Sequence, residues 1–266
     1  MEILCPVCGS FLEKQERSFC CGNRHSFDIA RQGYVNLLPV QQKHSLNPGD
    51  TPQQVRSRRE FLDGGFYAPI ADTLCQLAKK HRCSGPILDA GCGEGYYSAR
   101  LKDALQAELV GLDISKEAVR YAAGRYKDAL WLCGTAAHLP VADNSIGLLT
   151  SLFAVTLPEE FLRVLRPDGA FIQVLAAADH LLGLKSIIYP QLTDKPKDSI
   201  PQLPGFTLVE SVPVRFSFTA EGQQVQNLLA MTPHIYRISA KGLARLQQVE
   251  RLTDTASCVV NVYRPA

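Results

Sequence analysis

Four residues near the start of the chain have the types and spacing of a metal site. They are Cys5, Cys8, Cys21 and His25, in a C-x2-C-x12-C-x3-H pattern. Two thiolates on one tight turn, and a second pair returning across a hairpin, can surround a single ion. Zinc takes four such sulfur and nitrogen ligands in closed, tetrahedral, structural sites. Pro6, Gly9 and Gly22 supply turn chemistry around both pairs. Cys20 competes with Cys21. Neighbours in an extended segment face opposite ways, so only one of the two points at the ion. The three-residue gap to His25 favours Cys21. With no ligand position left open for water, the ion reads as structural.

A second set lies at 87–95, I-L-D-A-G-C-G-E-G. An apolar run ends in Asp89, and glycines follow at Gly91, Gly93 and Gly95. Glycine lets a backbone approach a ligand closely and adopt positive φ. A helix beginning near Tyr96 turns its free N–H groups toward the loop. A dinucleotide fingerprint needs glycine at position 96, so a pyrophosphate is disfavoured. The next apolar run, LVGLD, ends in Asp113, 24 residues after Asp89. A carboxylate there accepts hydrogen bonds from ribose hydroxyls. Two acidic strand ends beside a G-x-G-x-G loop suit a cationic nucleoside. S-adenosylmethionine, with its ammonium and sulfonium, fits; the phosphates of NAD would be repelled.

These residues need elements to position them. From residue 86, apolar runs alternate with helical spacing, which predicts an α/β fold with a mostly parallel sheet covered on both faces. Residues 1–38 are too few for an ordinary core and need a staple. Residues 39–52, PVQQKHSLNPGDTP, read as a linker. The main domain is expected at 53–266, opening with two helices separated at Gly64-Gly65. Beyond the fifth strand, the pattern predicts helices near 180–190, 221–230 and 239–247 and strands at TLVESVPVRF and SCVVNVYR. The composition is that of a folded globular chain: 266 residues, 46% hydrophobic, 20% charged, mean hydropathy −0.04. No apolar run is long enough to span a membrane. The start lacks a basic segment followed by an apolar stretch, so a cytoplasmic location is expected. The nine cysteines then read as ligands or thiols rather than a disulfide framework.

The glycine loop, both acids and E-F-L-R-V-L-R-P-D-G at 160–169 resemble the class I (Rossmann-like) methyltransferases that use S-adenosylmethionine. Residues 134–140, GTAAHLP, match the loop that cups adenine, without the acidic residue often seen there. A narrower resemblance spans essentially the whole chain. C-P-V-C, C-x-x-x-H-S-F-D, G-Y-V-N-L-L-P-V, N-P-G-D, R-R-x-F-L-D-G-G-F-Y, E-G-Y-Y, D-I-S-K and L-L-A-M-T-P follow in order. This is similar to the bacterial 23S rRNA (guanine-N1)-methyltransferases. The resemblance implies methyl transfer to N1 of one guanine in a 23S rRNA hairpin, with the zinc module helping to hold RNA. It also implies a homodimer. Tyr67 should then pack on the cofactor, Gly93, Glu94, Gly95, Tyr96 and Asp113 should line it, and His180 should approach it. Val155-Thr156 departs from the Pro-Cys pair expected where the fourth strand faces the substrate base.

Guanine N1 carries a proton at neutral pH, so the reaction must remove it and align N1 with the methyl group. His138, His180 and Glu160 are candidate bases, and no spacing singles one out. The target must leave its stack, and Phe153, Tyr189 or Tyr236 are available to stack on it. RNA binding needs a positive surface. Eight basic residues face three acidic ones between positions 14 and 59. Arg56, Arg58 and Arg59, beside the linker, are the expected RNA contacts. Two alternatives remain: a small-molecule methyltransferase with a structural zinc module, and a non-catalytic RNA-binding module with a degenerate cofactor site. The intact loop and Asp113 argue against the second.

Overall fold

Two sheets organise the chain in the computed structural model, which describes residues 1–42, 48–81, 84–192 and 198–266. The first is antiparallel and four-stranded: β1 (Ile3–Leu4), β2 (Phe11–Lys14), β3 (Ser18–Cys21) and β4 (Ser26–Asp28), in that order. It carries the Cys/His cluster. Then come β5 (Tyr34–Asn36), α1 (Pro52–Asp63), α2 (Ala68–His81), β6 (Ile87–Ala90), α3 (Tyr96–Leu105), β7 (Leu109–Asp113) and α4 (Lys116–Arg125). The rest is β8 (Leu130–Cys133), β9 (Ile146–Leu152), α5 (Pro158–Val164), β10 (Leu165–Ala176), α6 (Leu182–Ile188), β11 (Phe206–Glu221), α7 (Gln223–Ala230), α8 (Ala240–Gln247) and β12 (Arg251–Pro265).

The large sheet has the order β11-β12-β10-β9-β6-β7-β8-β5. Its strands from β5 to β10 run parallel, while β12 is antiparallel to both β10 and β11. Every residue of β6 and β9 is buried, as expected for strands covered on both faces. The chain turns to one side of β6 for β7 and β8, then returns to its other side for β9 and β10. In open α/β sheets, ligands bind outside the carboxyl ends of the strands at this reversal. Asp89 and Asp113 sit at those ends.

Local chemistry sets the helices that cover the sheet. Thr51 and Gln54 form a reciprocal capping box at the start of α1, with Pro52 in its first turn. The helix stops at Gly64, and Gly65 follows at φ +78°. In α2 the buried residues Ile70, Ala71, Leu74, Leu77 and Ala78 form one helical stripe.

Two expectations change. Tyr34–Asn36, expected inside the separate 1–38 module, instead pairs parallel with β8 as an edge strand of the large sheet. Tyr34 and Val35 are buried there, and the strand covers the otherwise open edge of β8. β1 also reaches across, with an Ile3–Val141 bridge and a 2.8 Å hydrogen bond from Leu4 N–H to Pro140 O. Of the expected linker, 43–47 lie outside the described residues; its end, Gly49-Asp50, packs on Ser115 at the start of α4.

One core contact is tight enough to test. A Cβ at Gly111 in β7 would lie 2.4 Å from the Trp131 ring and 3.1 Å from Cys92 Sγ. Trp131 is buried, and its indole N–H donates to Tyr126 O. Gly111→Ala should therefore destabilise by about 1–3 kcal/mol, read as a lower urea midpoint. An unchanged midpoint would show that the ring has room.

Candidate functional site

The cysteine ligands converge because two turns face each other. Cys5 and Cys8 lie on a turn closed by the Gly9 N–H to Cys5 O hydrogen bond at 2.8 Å. Cys21 ends β3, and its N–H donates to His25 O at 3.0 Å. The Sγ atoms of Cys8 and Cys21 are 3.7 Å apart, and His25 Nδ1 lies 3.5 and 3.4 Å from Cys5 and Cys21 Sγ. A zinc tetrahedron with ordinary bond lengths has S–S edges of about 3.8 Å and S–N edges of about 3.6 Å. The four residues therefore fit zinc without rearrangement, and they would hold it as a structural ion. Hydrogen bonds from the Ser10 and Asn23 side chains push the Cys8 thiol down to about 5, toward the thiolate a metal needs. Cys20 points away, with Ser18, Ser26 and Gln15 around its sulfur. Cys21→Ser should lose zinc from the purified protein, whereas Cys20→Ser should keep a full equivalent. The reverse result would reassign the ligand.

The glycine loop is fastened from beneath and from the side. Gly91, Gly93 and Gly95 have φ of +90°, +56° and +86°. A Cβ at Gly91 would lie 2.6 Å from Ala154 Cβ, and one at Gly95 would lie 2.7 Å from Trp131. The Asp113 carboxylate accepts from Gly93 N–H at 2.9 Å and Ser115 N–H at 2.8 Å. Asp89 sits under the loop, accepting from the hydroxyls of Ser98 and Thr150. These bonds tie the end of β6 to α3 and β9. Tyr96 packs against Tyr97 and carries the Arg100 guanidinium on its ring.

Carboxylates are crowded here. Burial pushes Glu94 up to about 7, opposed mainly by the charge of Arg58. Burial pushes Asp89 up to about 6, opposed by its two hydroxyl donors. Burial also raises Asp113, against the pull of the Ser115 and Gly93 N–H groups. The geometry offers strong acceptors for ribose hydroxyls and a field that favours a cation.

Arg58 is placed differently from the expectation that it meets RNA. Its guanidinium pairs with Asp50, donates to Met231 O at 3.4 Å, and lies 3.8 Å from a Cβ position on Gly93. Its side chain is only 24% exposed. On α1 it shares the inward stripe of Gln54, Val55, Phe61 and Leu62, so helical periodicity turns it toward the loop. Arg56 is exposed, and Arg59 stacks over Tyr121. Arg59, Tyr121, Arg125, Glu60, Gln224 and Glu94 help to line an open cleft of about 990 Å³ between α1, α4 and α7. Sequence reasoning also missed Asp50 and Ser115. Their signal was N-P-G-D: Gly49 has φ +82°, and a Cβ there would lie 2.7 Å from Ser115 Cβ.

Tyr67 and His180 come together. Tyr67 is buried among Phe61, Phe216 and Phe218, and its hydroxyl lies 3.4 Å from His180 Nε2. His180 Nδ1 accepts from Ser257 N–H at 3.1 Å, so a neutral ring carries its proton on Nε2. Glu160 is committed elsewhere: it accepts from Leu139 N–H at 2.6 Å and clasps Arg163. His138 is exposed in the loop after β8.

Comparison with known proteins agrees with both halves of this picture. Residues 3–46 match the family model described as RlmA, N-terminal, a zinc ribbon, and residues 87–169 match the methyltransferase domain. A solved structure described as a type II methyltransferase from Anaeromyxobacter dehalogenans superposes with TM-score 0.54 at 18% identity, covering 72% of this chain and 95% of that one. Fold and loop define a class I, S-adenosylmethionine-dependent methyltransferase carrying a zinc ribbon. A relative from Micromonospora griseorubida, named for 23S rRNA (guanine-N(1)-)-methyltransferase activity, is 38% identical over 98% of this chain and 96% of its own length. The 23S rRNA (guanine(748)-N(1))-methyltransferase of Streptomyces fradiae is 32% identical with the same coverage. The chain belongs to this 23S rRNA (guanine-N1)-methyltransferase family.

Glu94 gives the loop a pH response. Burial holds its carboxyl at about 7, so it gains charge as pH rises through neutrality, and if it faces the cofactor that charge would favour a cation. Calorimetry should find S-adenosylmethionine affinity falling as pH drops from 8 to 6, with a flatter profile in Glu94→Gln. Parallel profiles would remove Glu94 from the account.

Proposed function

We propose that the protein transfers a methyl group from S-adenosylmethionine to N1 of a guanine in a 23S rRNA hairpin. One observation carries the reading: near full-length relatedness to proteins named for that activity, in a chain that also forms the acid-lined loop. In this reading Asp113 accepts from the ribose hydroxyls, and the backbone of Gly93 and Gly95 lies along the nucleoside. Glu94 faces the cofactor's positive charge. Tyr67, Tyr96 and His180 close the cradle, while Asp89 and Gly91 keep the loop in shape.

The cofactor supplies an electrophilic methyl carbon on a sulfonium. When bound, it would pass that methyl to guanine N1 as the S–C bond breaks, with the N1 proton going to water and S-adenosylhomocysteine left as the product. The protein's part is to bring an unstacked guanine into line with that carbon and to exclude water. With Glu160 clasped by Arg163 and His180 Nδ1 occupied by Ser257, no side chain is assigned as the base. Arg56, Arg59 and the zinc module are the proposed RNA contacts. What supports the two arginines is that Arg56 is exposed and that Arg59 reaches the open cleft, with no ion-pair carboxylate of its own among the described residues. A cytoplasmic homodimer completes the reading through the family resemblance. No described helix is long and apolar enough to cross a membrane.

The test uses the zinc-loaded chain, labelled S-adenosylmethionine, unmethylated 23S rRNA and a metabolite extract. The expected result is one 1-methylguanine in the RNA, located by mass mapping. Label in a small molecule, with none in RNA, would favour the small-molecule alternative.

A further inference from the structure

Phe153 stands out among the aromatic residues near the loop. It follows the last residue of β9, at the carboxyl end of the strand beside β6. Its φ is +53°, a left-handed conformation in which a bulky side chain is an outlier. The residue is 42% exposed. Neither Tyr189 nor Tyr236, the other two candidates, has a positive φ, and their hydroxyls are engaged by His234 and Gln54.

The surroundings hold this conformation in place. Phe153 N–H donates to Val174 O at 2.9 Å. Ser151 Oγ donates to Val155 O at 3.2 Å, and Gln173 Nε2 donates to Thr156 Oγ1 at 2.7 Å. Ser151 and Gln173 are buried polar residues on adjacent strands, and both fasten the same turn. Ala154, the next residue, fills the space that makes glycine necessary at 91. The strained turn is thus tied to the sheet on one side and to the glycine loop on the other. Backbone strain that the fold over-determines in this way concentrates at functional sites.

The ring is also placed for a partner. It lies 6.2 Å from the His180 ring with a 30° tilt, and 6.5 Å from the Tyr67 ring. Those two rings, proposed above to close the cofactor cradle, lie beside it, and Val155, 64% exposed, gives the turn an apolar rim. A flat π surface at the edge of the loop suits a flat, unstacked heterocycle. We propose that Phe153 is the platform on which the target guanine of the RNA stacks while its N1 faces the methyl donor. This rests on the RNA-methylation reading above and assigns the acceptor's position within it.

The experiment uses the full zinc-loaded chain, S-adenosylmethionine and a transcript of the 23S hairpin. Phe153→Leu keeps an apolar side chain and removes the π face; Phe153→Tyr and Phe153→Trp restore one. Phe153→Leu should lower kcat/KM for RNA by about tenfold or more, with cofactor affinity within about twofold of wild type by calorimetry, and the aromatic variants should recover most of the loss. A transcript with 2-aminopurine at the target should fluoresce more strongly bound to Phe153→Leu than to wild type, because the stacked base is quenched. Wild-type kcat/KM in Phe153→Leu overturns the platform alone. So does a loss of cofactor affinity as large as the loss of kcat/KM, which would make the ring part of the cofactor pocket. A wild-type protein that methylates no RNA overturns the platform and the function together.

Discussion

The Asp113 carboxylate, at the end of β7, accepts two backbone N–H groups, one from the glycine loop and one from the start of α4. The Asp113 carbonyl accepts a third, from Gly134 at the start of the loop after β8. The glycine loop, the start of α4 and the loop after β8 are therefore fixed to a single strand end. The arrangement depends on enclosing a carboxylate. Isolation from water disfavours the charged form, and two amide donors restore part of the loss. The same logic repeats at Asp89, where two hydroxyls take the place of the amides.

A loop built on enclosed acids needs a cation. Arg58 supplies one from α1, paired with Asp50, and its charge is felt at both Glu94 and Asp113. Removing one member of such a cluster leaves an uncompensated charge, so the segment around residue 50 and the first helix are coupled to the loop. This explains why the stretch ahead of the main domain is more than a tether. Its end seats on Ser115 through Gly49 and presents Asp50 to Arg58. The zinc-bearing sheet is coupled similarly. β5 completes the sheet edge, and β1 contacts the loop after β8, so the metal module and the large-sheet domain share a border.

The parts legible in the sequence are those that depend on local chemistry. The C-x2-C and C-x3-H spacings are short and bring thiolates and imidazole together through turns alone. The glycine loop and its two acids follow strands whose burial on both faces shows as continuous apolar runs. Gly64-Gly65 marks the break between α1 and α2. What was not legible depends on long-range partners. Arg58 shares the apolar stripe of α1, but its partners Asp50 and Gly93 come from other segments, and the run of arginines hides the difference from Arg56, which faces water. β5 is three residues long, and its pairing with β8 depends on an open sheet edge far along the chain. β11 and β12 are 16 and 15 residues long, but their polar faces left only short apolar stretches visible. The φ of Phe153 leaves no trace in composition, because the turn is imposed by Ser151, Val174 and Gln173.

The central claim is that Asp113 both fastens the loop and receives the cofactor. Asp113→Asn tests it most directly: the side chain keeps its shape but turns an NH2 group toward one of the two N–H donors and loses its charge. Calorimetric titration with S-adenosylmethionine should show affinity weakened by about tenfold or more, with zinc content unchanged. Affinity within about twofold of wild type would contradict the account.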